Sequence, residues 1–134
     1  MYLLDTNILS ELVKKNPKKQ LIDRLETVPP ASLYTASICV MELRYGTLRM
    51  ENGADLWAKI QNKIIARLRI LNFTYKEALK AAEILHELLS MGRPIGIEDV
   101  MIASIALSNR FIVVSGNIRH FSRVPNLPVE NWLL

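Results

Sequence analysis

Three acidic residues occupy positions where the core of a soluble protein seldom holds a charge. Asp5 directly follows the apolar run Tyr2-Leu3-Leu4, Glu42 lies within an apolar helical segment, and Asp99 opens the most apolar helical segment of the chain. A buried carboxylate is costly unless it has a cationic partner or binds a metal. No lysine or arginine accompanies each of the three in the sequence. The pattern therefore predicts that the three acids converge on one cation.

The available ligand types indicate which cation this is. Oxygen ligands without a cluster of cysteine or histidine suit Mg²⁺ or Mn²⁺. The only histidines, His86 and His120, are far apart, and the pair His86-Glu87 lacks the second histidine of a zinc-protease motif. We therefore predict Mg²⁺, with Mn²⁺ as the alternative, and interpret both histidines as surface or packing residues.

Each acid also has a purely structural interpretation. Asp5 could cap the first helix, Glu42 could reach solvent from a helix edge, and Glu98 with Asp99 could stabilise the positive end of a helix dipole. Adjacent helical residues point about 100° apart, so only one of Glu98 and Asp99 can face a site. The spacing leaves that choice open.

The elements that must position these acids are short strands alternating with helices. Apolar runs predict strands at 2–4, 33–36, 70–73 and 111–114, with a fifth edge strand at 129–132. Helices are predicted from a Thr6 or Asn7 cap to 13, from Pro17 to 25, from a Ser37 cap to about 50, at 54–68, at 75–91 and at 99–107. This alternation indicates an α/β fold, a mostly parallel central sheet of about four to five strands flanked by helices. In such sheets ligands bind outside the carboxyl ends of the strands.

Two of these helices carry specific expectations. On the helix from Ser37, the residues Ile38, Met41, Tyr45 and Leu48 form a predicted apolar stripe around Glu42. On the helix at 75–91, the predicted apolar face consists of Ala78, Ala82, Leu85 and Leu89. The segment 37–68 carries more apolar residues than one buried face requires, which predicts an interface.

Length and composition limit the class of protein. The chain has 134 residues, half of them hydrophobic, which suits a single domain over 1–134. One cysteine, Cys39, excludes an internal disulfide framework and favours the cytoplasm. The sequence predicts neither a membrane span nor a signal peptide. A net charge of +4, which rises once the three acids are set aside, permits a nucleic-acid partner.

Four motifs occur in order along the chain. The first is Tyr2-Leu3-Leu4-Asp5-Thr6-Asn7; the second runs from Ser37 to Gly46 with Glu42 as its acid; the third is Pro94-Ile95-Gly96-Ile97-Glu98-Asp99; and the fourth is Ser115-Gly116-Asn117, followed by Arg119-His120-Phe121. With them the sequence resembles the PIN-domain ribonucleases, and among them the toxins of VapBC-type toxin–antitoxin pairs. The fourth motif departs from the family pattern, because Asn117 stands where many relatives carry an acid and Ser115 where threonine is common.

The resemblance implies a metal-dependent endoribonuclease. It implies Asp5, Glu42, Asp99 and Asn117 as catalytic residues, the first three as metal ligands, and selects Asp99 over Glu98. Thr6, Asn7 and Ser115 are implied as supporting residues. It further implies an RNA substrate, a small antitoxin that occupies the site, a homodimer and a toxin–antitoxin hetero-oligomer.

Two other classes of protein compete with this interpretation. One is a PIN-like RNA-binding or scaffold protein with a weak or vestigial nuclease site, against which the three intact acids argue. The other is a metal-dependent phosphatase of a different α/β fold. That class would carry a second aspartate after the first strand, where this sequence has Asn7.

Overall fold

The computed structural model describes all 134 residues as an α/β fold. Its strands are β1 (Tyr2–Leu4), β2 (Leu33–Ala36), β3 (Arg69–Leu71), β4 (Ile112–Val114) and β5 (Val129–Glu130). Its helices are α1 (Thr6–Leu12), α2 (Lys19–Glu26), α3 (Ser37–Leu48), α4 (Gly53–Lys63), α5 (Tyr75–Ser90), α6 (Ile97–Asn109) and α7 (Ile118–Phe121). Short 3₁₀ turns lie at Pro30–Ser32 and Ile65–Arg67.

The five strands form one sheet in the order β3-β2-β1-β4-β5, and every pairing is parallel. The predicted α/β class with a mostly parallel sheet is therefore confirmed. β1 is the central strand, and the chain moves from β1 to β2 on one side but places β4 on the other. The carboxyl ends of β1 and β4 consequently meet at the point where the strand order reverses, which is where open α/β sheets bind ligands.

Helices cover both faces of the sheet. Leu3 and Leu4 point to opposite faces of β1, as do Val113 and Val114 of β4, and all four are inaccessible to solvent. This explains why the strands are continuously apolar rather than alternating. Helix α6 is buried along Val100 and 102–106, which confirms the central position predicted from its composition.

Several helix starts differ from the prediction, including that of α6, which begins at Ile97 rather than at 99. Asp5 rather than Thr6 or Asn7 occupies the N-cap position of α1, but its side chain makes no capping hydrogen bond. Ala36 rather than Ser37 is the N-cap of α3, because Ala36 still has the extended backbone of β2. Helix α2 begins after Pro17, at Lys19, because the backbone N–H of Lys18 donates to Glu11 at 3.0 Å.

Several elements also end earlier than predicted, among them β5, which ends at Glu130 rather than at 132. β3 ends at Leu71, because its partner β2 ends at Ala36 where α3 begins. Helix α4 ends at Lys63, and a 3₁₀ turn replaces the predicted continuation to 68.

The predicted apolar faces of α3 and α5 are largely wrong. Ile38 is buried as predicted, but Met41, Tyr45 and Leu48 are exposed, and α3 also buries Cys39, Leu43 and Thr47. Helix α5 buries Ala81, Ile84 and Leu88, which lie on the side of the helix next to the predicted face. Both helices carry apolar residues on more than one side, so their periodicity does not single out the side that packs. No helix combines the length and apolar character that crossing a membrane requires.

Candidate metal-dependent nuclease site

A polar pocket of about 520 Å³ opens beside the ends of β1 and β4. Its lining comes from the segment after β1 with α1, from α3, from the start of α6, from the loop after β4 and from the C-terminal segment. The lining residues are Asp5, Thr6, Asn7, Ser10, Glu11, Lys14, Glu42, Asp99, Asn117 and Leu133. The structure thus brings together six of the seven predicted site residues in one pocket. The seventh, Ser115, is fully buried and hydrogen-bonded to Asp5. Glu98 does not line the pocket.

Asp5 lies at the floor of this pocket. It directly follows the central strand, is only 5% exposed, and accepts hydrogen bonds from Ser115 Oγ at 2.7 Å and from Asn7 Nδ2 at 3.3 Å. Burial raises the pKa of its carboxyl to about 6; the Ser115 hydrogen bond opposes the shift, and the charges of Asp99 and Glu42 add to it. The Asp5 carboxylate is therefore held by neutral hydrogen-bond donors, and no positively charged side chain offsets its charge.

Glu42 approaches Asp5 from α3. Thr6 Oγ1 donates to Glu42 Oε1 at 2.7 Å, which fixes the carboxylate against the first turn of α1. Ligand atoms of Asp5, Glu42 and the Cys39 thiol lie within 4.8 Å of one another. Burial, with the Asp5 charge as the next cause, raises the pKa of Cys39 to about 12, so the free thiol stays protonated.

Asp99 faces the pocket from the opposite wall. Its Oδ2 lies 3.4 Å from Asn117 Nδ2 and 3.0 Å from His120 Nδ1. Our interpretation of His120 as a surface or packing residue is therefore wrong, because it contacts a predicted metal ligand. His86 is exposed on α5, as expected.

A hydrogen-bond network joins the ends of β1 and β4. Asn7 Oδ1 accepts from the Gly116 N–H at 3.0 Å, and its Nδ2 lies 3.3 Å from Ser115 Oγ. Ser115 Oγ in turn accepts from the Asn117 N–H at 2.8 Å while donating to Asp5. Asn117 sits at the N-cap position of α7 without a side-chain capping bond, which leaves its amide free to reach Asp99.

The charge balance of the pocket fits a divalent cation. No lysine or arginine forms an ion pair with Asp5, Glu42 or Asp99; the partner of Asp99 is a histidine. The remaining acid of the pocket, Glu11, is already paired with Lys14 at 2.9 Å. Three oxygen-ligand side chains without a lysine or arginine partner are the donor set that Mg²⁺ or Mn²⁺ takes.

Sequence reasoning missed several residues of this pocket. Thr6 and Ser10 lie one turn apart on α1, and Lys14 follows the helix at the same spacing of four residues, which is a usable signal; Glu11 lies off this row. His120 lies on α7, a helix of four residues that is too short to show a periodic pattern.

The basic residues of the helices do not all gather at this pocket. Lys14 lines the pocket, whereas Lys63 and Arg67 line a separate, mostly apolar cavity of about 380 Å³ between α1, α2, β2 and the end of α4. Arg44 stacks over the Trp57 ring at 5.3 Å, and Arg49 over the Tyr45 ring at 5.4 Å.

Comparison with known proteins identifies the family. The PIN domain model matches residues 2–127. Ribonuclease VapC2 of Haemophilus influenzae is 36% identical over 98% of each chain, and the tRNA(fMet)-specific endonuclease VapC of Salmonella typhimurium is 31% identical over 98% of this chain and 97% of its own. The VapBC2 complex of Rickettsia felis, solved bound to a promoter DNA fragment, contains a chain that is 32% identical, with a TM-score of 0.89 over 98% of each chain. The chain therefore belongs to the PIN-domain family, within the VapC group that these relatives represent.

Proposed function

We propose that this protein is a metal-dependent endoribonuclease and the toxic component of a toxin–antitoxin system. The observation that carries the proposal is the convergence of Asp5, Glu42 and Asp99, from three separate elements, on one pocket where none has a lysine or arginine partner. The relatives named ribonuclease and endonuclease support RNA as the substrate. The buried free thiol of Cys39 is in keeping with the cytoplasm as the site of action.

Each side chain has a proposed role. Asp5 and Asp99 bind the cation directly, and Glu42 either binds it or orients the attacking water. Asn117, a catalytic residue in this proposal, fixes Asp99 through its amide, while Thr6 holds Glu42.

The remaining two roles concern the floor of the pocket. Ser115 holds Asp5 in place, and Asn7 links Asp5 to the loop after β4. Residues 1–134 are proposed to act as one nuclease domain, because one sheet and one continuous core support the whole site.

A bound Mg²⁺ or Mn²⁺ supplies two things here: it makes water a better nucleophile at neutral pH, and it screens the charge of the phosphodiester. The protein's own contribution is to hold three carboxylates close together before the cation arrives. Their mutual repulsion, which helps raise the pKa of Asp5, is the cost of that preorganisation.

Neither competing class explains this geometry as well. A scaffold with a vestigial site has no use for a buried, charge-uncompensated Asp5. A phosphatase of another fold is disfavoured because the position of its second aspartate is taken by Asn7, which donates to Asp5 and accepts from Gly116.

Chelation tests the function directly. We expect the purified protein to cleave RNA in Mg²⁺ or Mn²⁺, and to lose cleavage in excess EDTA until the cation is restored. tRNA(fMet) and total bacterial RNA are suitable substrates, because one relative is named for the former. Asp99→Asn should reduce the rate by more than about 100-fold, since even the outer partners of metal ligands contribute 10- to 100-fold.

The adjacent acid provides the control. Glu98 is exposed and does not line the pocket, so Glu98→Gln should retain wild-type cleavage. Full activity in EDTA, or equal losses in Glu98→Gln and Asp99→Asn, would show that the proposed chemistry is wrong.

A small antitoxin is the proposed partner. Several similar structures are toxin–antitoxin complexes, including VapBC2 of Rickettsia felis and VapBC of Salmonella typhimurium. An arginine of such a partner could bind the carboxylates bidentately and take the place of the cation. Inhibition would then require no change in the fold of the toxin.

A homodimer is the second proposed assembly. Met41, Tyr45 and Leu48 form an exposed apolar stripe on α3 with exposures of 55, 62 and 64%. We expect light scattering at micromolar concentration to give about twice the chain mass of 15.3 kDa. Tyr45→Glu should produce a monomer, whereas Tyr75→Glu, an equally exposed change at the start of α5, should not. A wild-type monomer would contradict the proposal.

A further inference from the structure

A second, smaller pocket opens directly from the acidic one. It has a volume of about 230 Å³ and lies between α1, α3 and α4. Thr6, Ser10 and Glu42 line both pockets, so the two adjoin each other. We call the smaller one the side pocket. When one monomer of a bound polymer lies beside Asp5, the side chain or base of the next monomer can therefore enter the side pocket.

The lining of the side pocket suits a neutral, largely apolar group. Beyond the shared end its walls include Leu43, Leu56 and Ile60, and Glu42 is its only charged residue. Its volume is below the roughly 300 Å³ at which drug-sized ligand pockets begin. Lys59 does not line the side pocket, but its Nζ donates to the carbonyl of the lining residue Val13 at 3.3 Å, so an ammonium group lies next to the pocket. A largely apolar pocket that adjoins the acidic site and has an ammonium group beside it suits a nucleobase with its flanking phosphates.

Gly46 keeps the side pocket open. It lies inside α3, one turn after Glu42, and its φ is not positive, so the backbone does not require glycine. A Cβ added at this position meets no atom within 4 Å, so internal packing does not require glycine either. Glycine is less favourable than alanine inside a helix. The missing side chain leaves open space at the wall of the side pocket, which a larger residue at this position would fill.

We propose that the side pocket binds the base of the nucleotide adjacent to the scissile phosphate. This inference rests on the proposed ribonuclease function and adds a subsite that selects among RNA bonds. An RNA base is favoured over an apolar side chain of a protein partner because the pocket shares Glu42 with the acidic site and the Lys59 ammonium lies beside its lining residue Val13. Contact with a base typically changes affinity by enough to alter cleavage about tenfold.

The test pairs a pocket-filling variant with abasic RNA. Once the cleaved bond is mapped in a short RNA, oligonucleotides lacking the base at each flanking position are compared with the intact oligonucleotide. For the wild type, removal of one particular base should lower kcat/KM about tenfold. In Gly46→Leu that same removal should change kcat/KM by less than twofold, because the leucine already occupies the space. Gly46→Ala, which adds only a Cβ in open space, gives a smaller step if the leucine variant does not fold.

Ala58→Leu is the matched control. Ala58 is exposed on α4 and does not line the side pocket, so this variant should keep the wild-type response to the abasic site. Equal cleavage of intact and abasic RNA by the wild type overturns the base subsite and leaves the pocket to a protein side chain. A tenfold abasic effect that persists in Gly46→Leu places the base elsewhere and also overturns it. Absence of any RNA cleavage by the wild type is a different result, which overturns the proposed function itself.

Discussion

Asp5→Asn is expected to abolish RNA cleavage while leaving the fold intact. The substitution keeps the shape of the side chain and can keep a hydrogen bond with Ser115, but it removes the charge at the floor of the site. Loss of a direct ligand should exceed the 10- to 100-fold that outer-shell losses cost, so we expect a decrease of more than about 100-fold in kcat/KM. Metal affinity, measured by calorimetry, should fall in parallel.

Asp55→Asn is the matched control for this experiment. Asp55 is an exposed aspartate in the first turn of α4, outside the acidic pocket. Cleavage by that variant should equal the wild-type value. The same chains test the toxin assignment, since expression of the wild type alone should arrest bacterial growth and expression of Asp5→Asn should not. An active Asp5→Asn enzyme would contradict the metal-ligand role.

Much of this site follows from the sequence because its acids lie next to strong local signals. Asp5 directly follows the short apolar run that becomes the central strand, and Asp99 lies in the first turn of the helix with the most continuous apolar composition. Parallel strands place all their carboxyl ends at one edge, so identifying the strands nearly determines where these residues meet.

The parts that could not be predicted depend on packing choices that the sequence leaves balanced. Helix α3 has apolar residues facing both the core and solvent, so Met41, Tyr45 and Leu48 were assigned to the wrong side. The contact of His120 with Asp99 depends on the four-residue helix α7, whose placement is set by tertiary contacts rather than by local pattern. The same balance on α3 conceals the role of Gly46, since an empty space beside a helix has no signature in a single sequence.

Loss of the proton from the buried Asp5 carboxyl should make the metal-free protein less stable as the pH rises. Burial raises the pKa of this carboxyl from 3.8 to about 6 in the folded state. The folded protein therefore retains the proton at pH values where the unfolded chain has lost it, and stability falls between about pH 4 and pH 6 and stays low above that range. A shift of this size corresponds to about 3 kcal/mol at neutral pH, an order-of-magnitude figure.

Asp5→Asn removes the loss of stability that ionisation of Asp5 causes. Comparison with the wild type therefore separates this effect from that of every other titrating group. In EDTA at pH 7.5 the variant should be more stable than the wild type, by up to about 3 kcal/mol in the free energy of unfolding or roughly 10 °C in Tm. At pH 4 the two chains should have nearly equal stability. Saturating Mg²⁺ should reverse the order at pH 7.5, because a cation that binds only the folded wild type adds about 4.1 kcal/mol at 1,000 times its Kd. If the difference in the free energy of unfolding between the two chains is the same at pH 4 and at pH 7.5, ionisation of Asp5 does not destabilise the fold. The reason for placing a cation beside Asp5 would then be lost.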